Sequence, residues 1–174
     1  MTKSLDYDPV ESSRKLWYDS GWLEEAAGVA AVVSVMRLDQ IFQTQANEVL
    51  RELDITFARY QVLGVVARGG PLLLGEVGRR LWITKATVTS AIDRLEQDAL
   101  ILRVPDSSDG RATYAVCTPK GRRVFDRAVD ELNAKLFGAI ALSLPEMDQL
   151  VQLIGKIRSA AGDAVGVLPP EPFL

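Results

Sequence analysis

The chain has 174 residues, 48% apolar and 25% charged, which suits one globular domain with extensions and excludes wholesale disorder. It has no histidine and one cysteine, Cys117. This excludes histidine general bases and triads, an internal disulfide, and histidine or multi-cysteine metal sites, so neither an enzyme nor a cofactor is expected. Net charge is −3, yet residues 76–127 carry ten Lys/Arg against seven Asp/Glu; that stretch is +3 and the remainder −6, and an anion responds to the local field.

Residues 1–20 form a polar N-terminal extension with Trp17 and Tyr18 near its end. They lack the basic start and apolar core of a secretory signal, so a cytoplasmic protein is expected. Residues 22–52 read as one long helix, with Trp22, Ala26, Val29, Val33, Met36, Ile41, Val49 and Leu53 at helical spacing and no proline. Its most apolar stretch, 26–36, stops at Arg37, short of the about 18 residues a membrane span needs, so no membrane partner is expected. About 30 helical residues span roughly 45 Å, and such a helix needs a second surface to cover it, often another subunit.

A second helix is expected over 56–68, capped by Thr56 and ended by Gly69-Gly70-Pro71. A short helix at about 73–80, the turn Leu81-Trp82-Ile83, and a helix from the Thr84 cap to about Asp98 follow. Residues 100–104 and 111–117 are β-rich runs joined by a turn-forming segment, Pro105-Asp106-Ser107-Ser108-Asp109-Gly110. Thr118-Pro119 starts a helix to about Leu142, and Ser143-x-x-Glu146 is a capping box for a last helix ending near Ala161. Residues 163–174 hold three prolines and read as an irregular tail. Short helix, tight turn, longer helix and two-strand ribbon make a winged helix-turn-helix, so the fold class expected is mainly α with a two-strand β wing.

In the helix over 84–98, Val88, Ile92 and Leu95 form a core stripe. Ala86, Ser90, Asp93, Arg94 and Gln97 face outward, with Thr87 and Thr89 on the flanks. Small residues let a backbone approach a major groove, while Thr84, Lys85, Thr87, Thr89, Ser90 and Arg94 suit phosphates or base edges. A merely solvated helix face is the alternative. The hairpin adds Arg103 and, at its tip, Asp109-Gly110-Arg111, where arginine suits a minor groove or adjacent phosphates. Asp109 repels phosphate, which suits it to orienting Arg103 or Arg111.

Between 54 and 124 the chain carries, in order, Thr56-Phe57-Ala58-Arg59-Tyr60-Gln61-Val62-Leu63, Gly70-Pro71-Leu72-Leu73-Leu74-Gly75-Glu76-Val77, Thr84-Lys85-Ala86-Thr87-Val88-Thr89, Asp93-Arg94-Leu95-Glu96, Asp109-Gly110-Arg111-Ala112 and Thr118-Pro119-Lys120-Gly121. In this order and spacing the set resembles the MarR (multiple antibiotic resistance regulator) family. The resemblance implies a homodimeric transcription regulator of double-stranded DNA. It implies dimerisation helices at 21–52 and 119–162 around a DNA-binding lobe at 53–118. It further implies release of DNA by a small phenolic or other lipophilic ligand.

Several positions depart from the family pattern. Gly110 replaces the first of two adjacent wing-tip arginines, Ala99 stands where glycine is usual, and Trp82 stands where a small residue is common, read here as packing. Cys117 lies away from the position of the family's peroxide-sensing cysteine and lacks a basic sequence neighbour, which favours a packing role. Residues 10–20 with Trp17 resemble the extra helix of urate-responsive members, whose aspartate and arginine are here Gln61 and Ala91. The candidate ligand residues are Trp17, Trp22, Arg37, Phe57 and Tyr60, with aromatic packing as their ordinary alternative. The leading function is a DNA-binding regulator, a repressor reading an inverted-repeat operator. The alternative is a winged-helix protein-interaction module, favoured by the acidic net charge and the reduced wing.

Overall fold

A computed structural model describes residues 5–106 and 112–167. By internal packing the chain divides into two units, 1–48 and 49–174.

The first unit holds α1 (Pro9–Asp19) and most of α2 (Glu25–Leu50). Asp8 caps α1 by accepting from the Val10 N–H, and Pro9 takes the first helical position, where no amide hydrogen is needed. The long helix begins three residues later than its apolar pattern predicts, because Gly21 at φ +90 breaks the chain ahead of Trp22. Val32, Val35, Met36, Leu38 and Ile41 on α2 are all exposed.

The second unit opens with a 3-10 turn at Arg51–Leu53 and continues through α3 (Phe57–Gly69), β1 (Leu72–Leu73), α4 (Leu74–Leu81) and α5 (Lys85–Gln97). Then come β2 (Ile101–Pro105), β3 (Thr113–Cys117), α6 (Pro119–Lys135) and α7 (Leu144–Ala160). Thr56, Thr84 and Thr118 cap α3, α5 and α6, each side chain accepting an N–H three residues on. Ser143 and Glu146 form the expected capping box of α7. The core is aliphatic: Leu50, Val62, Leu63, Val66, Val77, Val88, Ile92, Leu95, Ile101 and Leu132 are its largest fully buried side chains.

The expected two-strand wing is present as β2 and β3. One strand the sequence did not show joins it, giving the order β1-β3-β2, because Leu72 and Leu73 pair antiparallel with Ala115 and Tyr114 on the free edge of β3. A two-residue strand is too short to show alternation. The helix after Thr118-Pro119 ends at Lys135 rather than near Leu142. Leu136 leaves helical geometry at φ −129, and a 3-10 turn over Phe137–Ala139 follows. On α7, Leu150, Val151, Leu153 and Ile157 are exposed, and Gly155 is its only buried residue.

Three close approaches fix the lobe. Thr118 donates from its hydroxyl to the Ala99 carbonyl at 2.8 Å and from its backbone N to the Leu100 carbonyl at 3.0 Å. A Cβ on Gly121 would stand 2.1 Å from that Leu100 carbonyl oxygen, so only glycine lets α6 cross there. Asp98 accepts from Arg59 Nη1 at 3.0 Å, and its carbonyl accepts from Lys120 Nζ at 2.7 Å.

Two helix ends carry strain. Trp82 and Ala99 lie at φ +54 and +57, each ending a helix by a 6→1 hydrogen bond, Ile83 N to Gly78 O and Leu100 N to Leu95 O. Glycine is the usual residue at such a position, and an L side chain there costs about 1–2 kcal/mol.

Candidate nucleic-acid interface

Helix α5 is two-sided as expected. Val88, Ile92 and Leu95 are at most 1% exposed, while Lys85, Ala86, Thr87, Thr89, Ser90, Asp93, Arg94 and Gln97 are exposed. Most of these outward side chains line one shallow depression along the helix. The hydroxyls are not equivalent. Thr84 Oγ1 accepts from the Thr87 N–H at 3.2 Å and shares a proton with Thr87 Oγ1 at 2.9 Å. Thr89 donates back to the Lys85 carbonyl at 3.0 Å, which leaves its oxygen to accept. The Ser90 hydroxyl has no hydrogen-bond partner among the described residues, so it can donate or accept. Arg94 leans on Gln97 at 3.2 Å, and Lys85 forms no ion pair among the described residues. The leading turns of α5 thus present a free ammonium, a free hydroxyl and amides of a helix N-terminus, a set that favours a phosphate anion.

The wing is tied to this helix. Arg103 on β2 bonds Asp93 Oδ1 through Nη2 at 2.5 Å and Glu96 Oε2 through Nη1 at 2.6 Å, and its backbone N–H reaches Glu96 Oε1 at 3.1 Å. Partial burial lowers the Arg103 pKa, but hydrogen bonds and charge from Asp93 and Glu96 outweigh it and raise the pKa overall. Arg103 is therefore a permanent cation spent on two carboxylates. The sequence offered Asp109 for orienting Arg103 or Arg111. Among the described residues the holders of Arg103 come from α5, because β2 runs beside that helix. Asp109 and Arg111 lie outside the described residues. At the base of the wing the Asp106 N–H bonds the Ala112 carbonyl at 3.0 Å, and a hydrogen bond to Asp106 raises the Tyr114 hydroxyl above its usual pKa.

Trp82 corrects another expectation. It does not pack: 70% of it is exposed, because the left-handed backbone turns its side chain away from the lobe.

The candidate ligand residues belong to both units. In the first unit Trp17 and Trp22 make a tilted pair with ring centroids 5.6 Å apart, and Arg37 is exposed. In the second unit Phe57 stacks on Tyr60 at 5.8 Å, and Tyr60 on Phe125 at 5.7 Å. A cleft of 260 Å3 is lined by Tyr60, Gln61, Gly64, Val65, Arg68, Leu81 and Phe125, with the Arg68 guanidinium 5.1 Å from the Phe125 ring centre. Phe57 does not line it. Burial pushes the Tyr60 hydroxyl up, and the charge of Arg68 partly offsets this. Sequence reasoning missed Arg68 and Phe125. The first was findable, since 60, 64 and 68 share a helix face; the second lies 65 positions from Tyr60 with no local signal.

Cys117 ends β3 half-buried, its thiol 3.5 Å from the Thr118 carbonyl. Burial is the main cause of its raised pKa; Arg122 lowers and Asp126 raises it. The cation missing from its sequence neighbours is thus supplied by α6, but it is outweighed.

Fold and site together define a winged helix-turn-helix protein with an outward-facing hydroxyl- and cation-bearing helix. A sequence model of the MarR family matches residues 53–112. The structure is similar to that of a MarR family transcriptional regulator from Streptomyces coelicolor, at 32% identity and a TM-score of 0.71, covering 80% of this chain and 98% of that one. The chain belongs to the MarR family. It is 34% identical over 98 residues to YkoM, an uncharacterised HTH-type transcriptional regulator of Bacillus subtilis, covering 56% of this chain and 64% of that protein. The fold is shared with a mutant of MarR from E. coli complexed with operator DNA, at 21% identity and a TM-score of 0.71, covering 76% and 96%. No helix among the described residues is long and apolar enough to cross a membrane.

Proposed function

We propose that the protein is a cytoplasmic, homodimeric repressor that binds an inverted-repeat DNA operator through α5 and is released by a small aromatic ligand. The observation that carries this reading is α5 itself, which buries Val88, Ile92 and Leu95 and leaves Lys85 and Ser90 unengaged among the described residues. The related fold of E. coli MarR has been seen with operator DNA. Dimerisation is supported by exposed apolar side chains on α2 and α7, more than a monomer ordinarily leaves in water. A two-fold symmetric dimer reads half-sites centred about 10–11 bp apart. Occupying a promoter in this way blocks transcription.

The cleft of Tyr60, Arg68 and Phe125 supports the effector, being apolar with one phenol and one cation. A tenfold loss of DNA affinity requires only about 1.4 kcal/mol of coupling. The test is a mobility shift with DNA flanking the protein's own gene, paired with light scattering at micromolar concentration. A dimer mass and a shifted band are expected. A monomer that shifts no DNA sinks the reading and favours the protein-interaction alternative.

A further inference from the structure

We propose that Trp82 is a DNA-contacting residue, its indole lying against the sugar–phosphate backbone beside the groove that α5 enters. This rests on the DNA-binding reading of α5 and extends the interface to the turn ahead of it.

Trp82 is at odds with the stability of the lobe twice over. Its backbone is left-handed at φ +54, where bulky side chains are outliers, and its side chain stays 70% exposed. No ring stacking is found for it among the described residues, whereas Phe57, Tyr60 and Phe125 stack on one another. Glycine or asparagine there would relieve the backbone and expose less apolar surface. A residue costly to the fold and left largely exposed by the described residues points to a role outside the fold.

Its surroundings identify the partner. Trp82 shares one open groove with Thr84 and Lys85, the cap and first residue of α5, with Arg79 of α4, and with Asp163 beyond α7, whose carboxylate is paired with Arg158. Arg79 is paired with Glu76, so Lys85 is the groove's free ammonium among the described residues. An exposed aromatic ring beside a free cation and a helix N-terminus matches a polyanion that also carries flat apolar sugar surface. The indole Nε1–H donates only, and a phosphate oxygen only accepts. Duplex DNA meets all three requirements at once.

The experiment uses the full chain and a duplex enriched by the wild-type protein from a random-sequence pool. Affinity is measured by fluorescence anisotropy for wild type, Trp82→Gly, Trp82→Phe and Lys85→Ala, with thermal melts of each. Trp82→Gly is expected to melt no lower than wild type and to bind about tenfold more weakly. Its salt dependence should be unchanged, because an indole neutralises no phosphate. Trp82→Phe should recover most of the loss. If Trp82→Gly binds within twofold of wild type while Lys85→Ala is weakened, Trp82 does not touch DNA and the α5 reading stands. If Trp82→Phe binds as poorly as Trp82→Gly, ring contact is overturned. If the wild-type protein enriches no duplex, the DNA-binding reading fails and this proposal with it.

Discussion

Glu96 holds Arg103 at both ends: one carboxylate oxygen accepts from the Arg103 backbone N–H at 3.1 Å and the other from its guanidinium at 2.6 Å. The wing strand is thereby keyed in direction and register to α5, six residues past Ser90. Asp93 adds a second carboxylate at 2.5 Å.

From this follows an unusual signature for Arg103→Ala. The charge it removes is already neutralised, so affinity for DNA should fall through a loosened wing while the salt slope stays as in wild type. Such partly exposed pairs contribute about 0.2–1 kcal/mol each, so the fold should survive. Binding isotherms at several salt concentrations check this. A slope reduced by about one would mean that Arg103 meets a phosphate directly.

Ala99 sits at φ +57 where the end of α5 would favour glycine. Ala99→Gly relieves about 1–2 kcal/mol of backbone strain, offset in part by the larger chain entropy of unfolded glycine. The net gain should be about 0.5–1 kcal/mol, raising the melting temperature by about 1–4 °C. A calorimetric scan of the two proteins decides it, and a lower melting temperature would show that the turn is not strained.

Much of this lobe was legible because its signals are local. Thr56, Thr84, Thr118 and Ser143 announce helix starts by chemistry that acts within four residues, and Val88, Ile92 and Leu95 announce a buried stripe by spacing alone. What stayed hidden depends on partners distant in sequence. Leu72 and Leu73 become a strand only because β3 offers a free edge. Among the described residues the holders of Arg103 sit on the preceding helix, seven and ten positions away. Phe125 reaches Tyr60 across 65 positions. Trp82 misled for a different reason: tryptophan is ordinarily at least half-buried, and only the left-handed turn reveals that this one faces water.

Cys117 should be a sluggish thiol. Burial raises its pKa above the ordinary value of 9.0, and the thiolate is the reactive form, so less of it is present near pH 7–8 than for an unhindered cysteine. Alkylation by iodoacetamide should be slower than that of glutathione at neutral pH, and should accelerate only as pH rises beyond the usual thiol range. Cys117→Ser should retain DNA binding and effector response. Fast labelling at pH 7, or loss of the response in Cys117→Ser, would make this residue a sensor instead.

The central claim is that the leading turns of α5 meet DNA phosphates. The most direct test is duplex affinity between about 50 and 200 mM salt for wild type and Lys85→Ala, read by anisotropy. The account predicts a steep fall in wild-type affinity with salt, weaker binding by Lys85→Ala, and a log–log slope shallower by about one in the variant. Equal affinities with equal slopes, or wild-type affinity indifferent to salt, would contradict it.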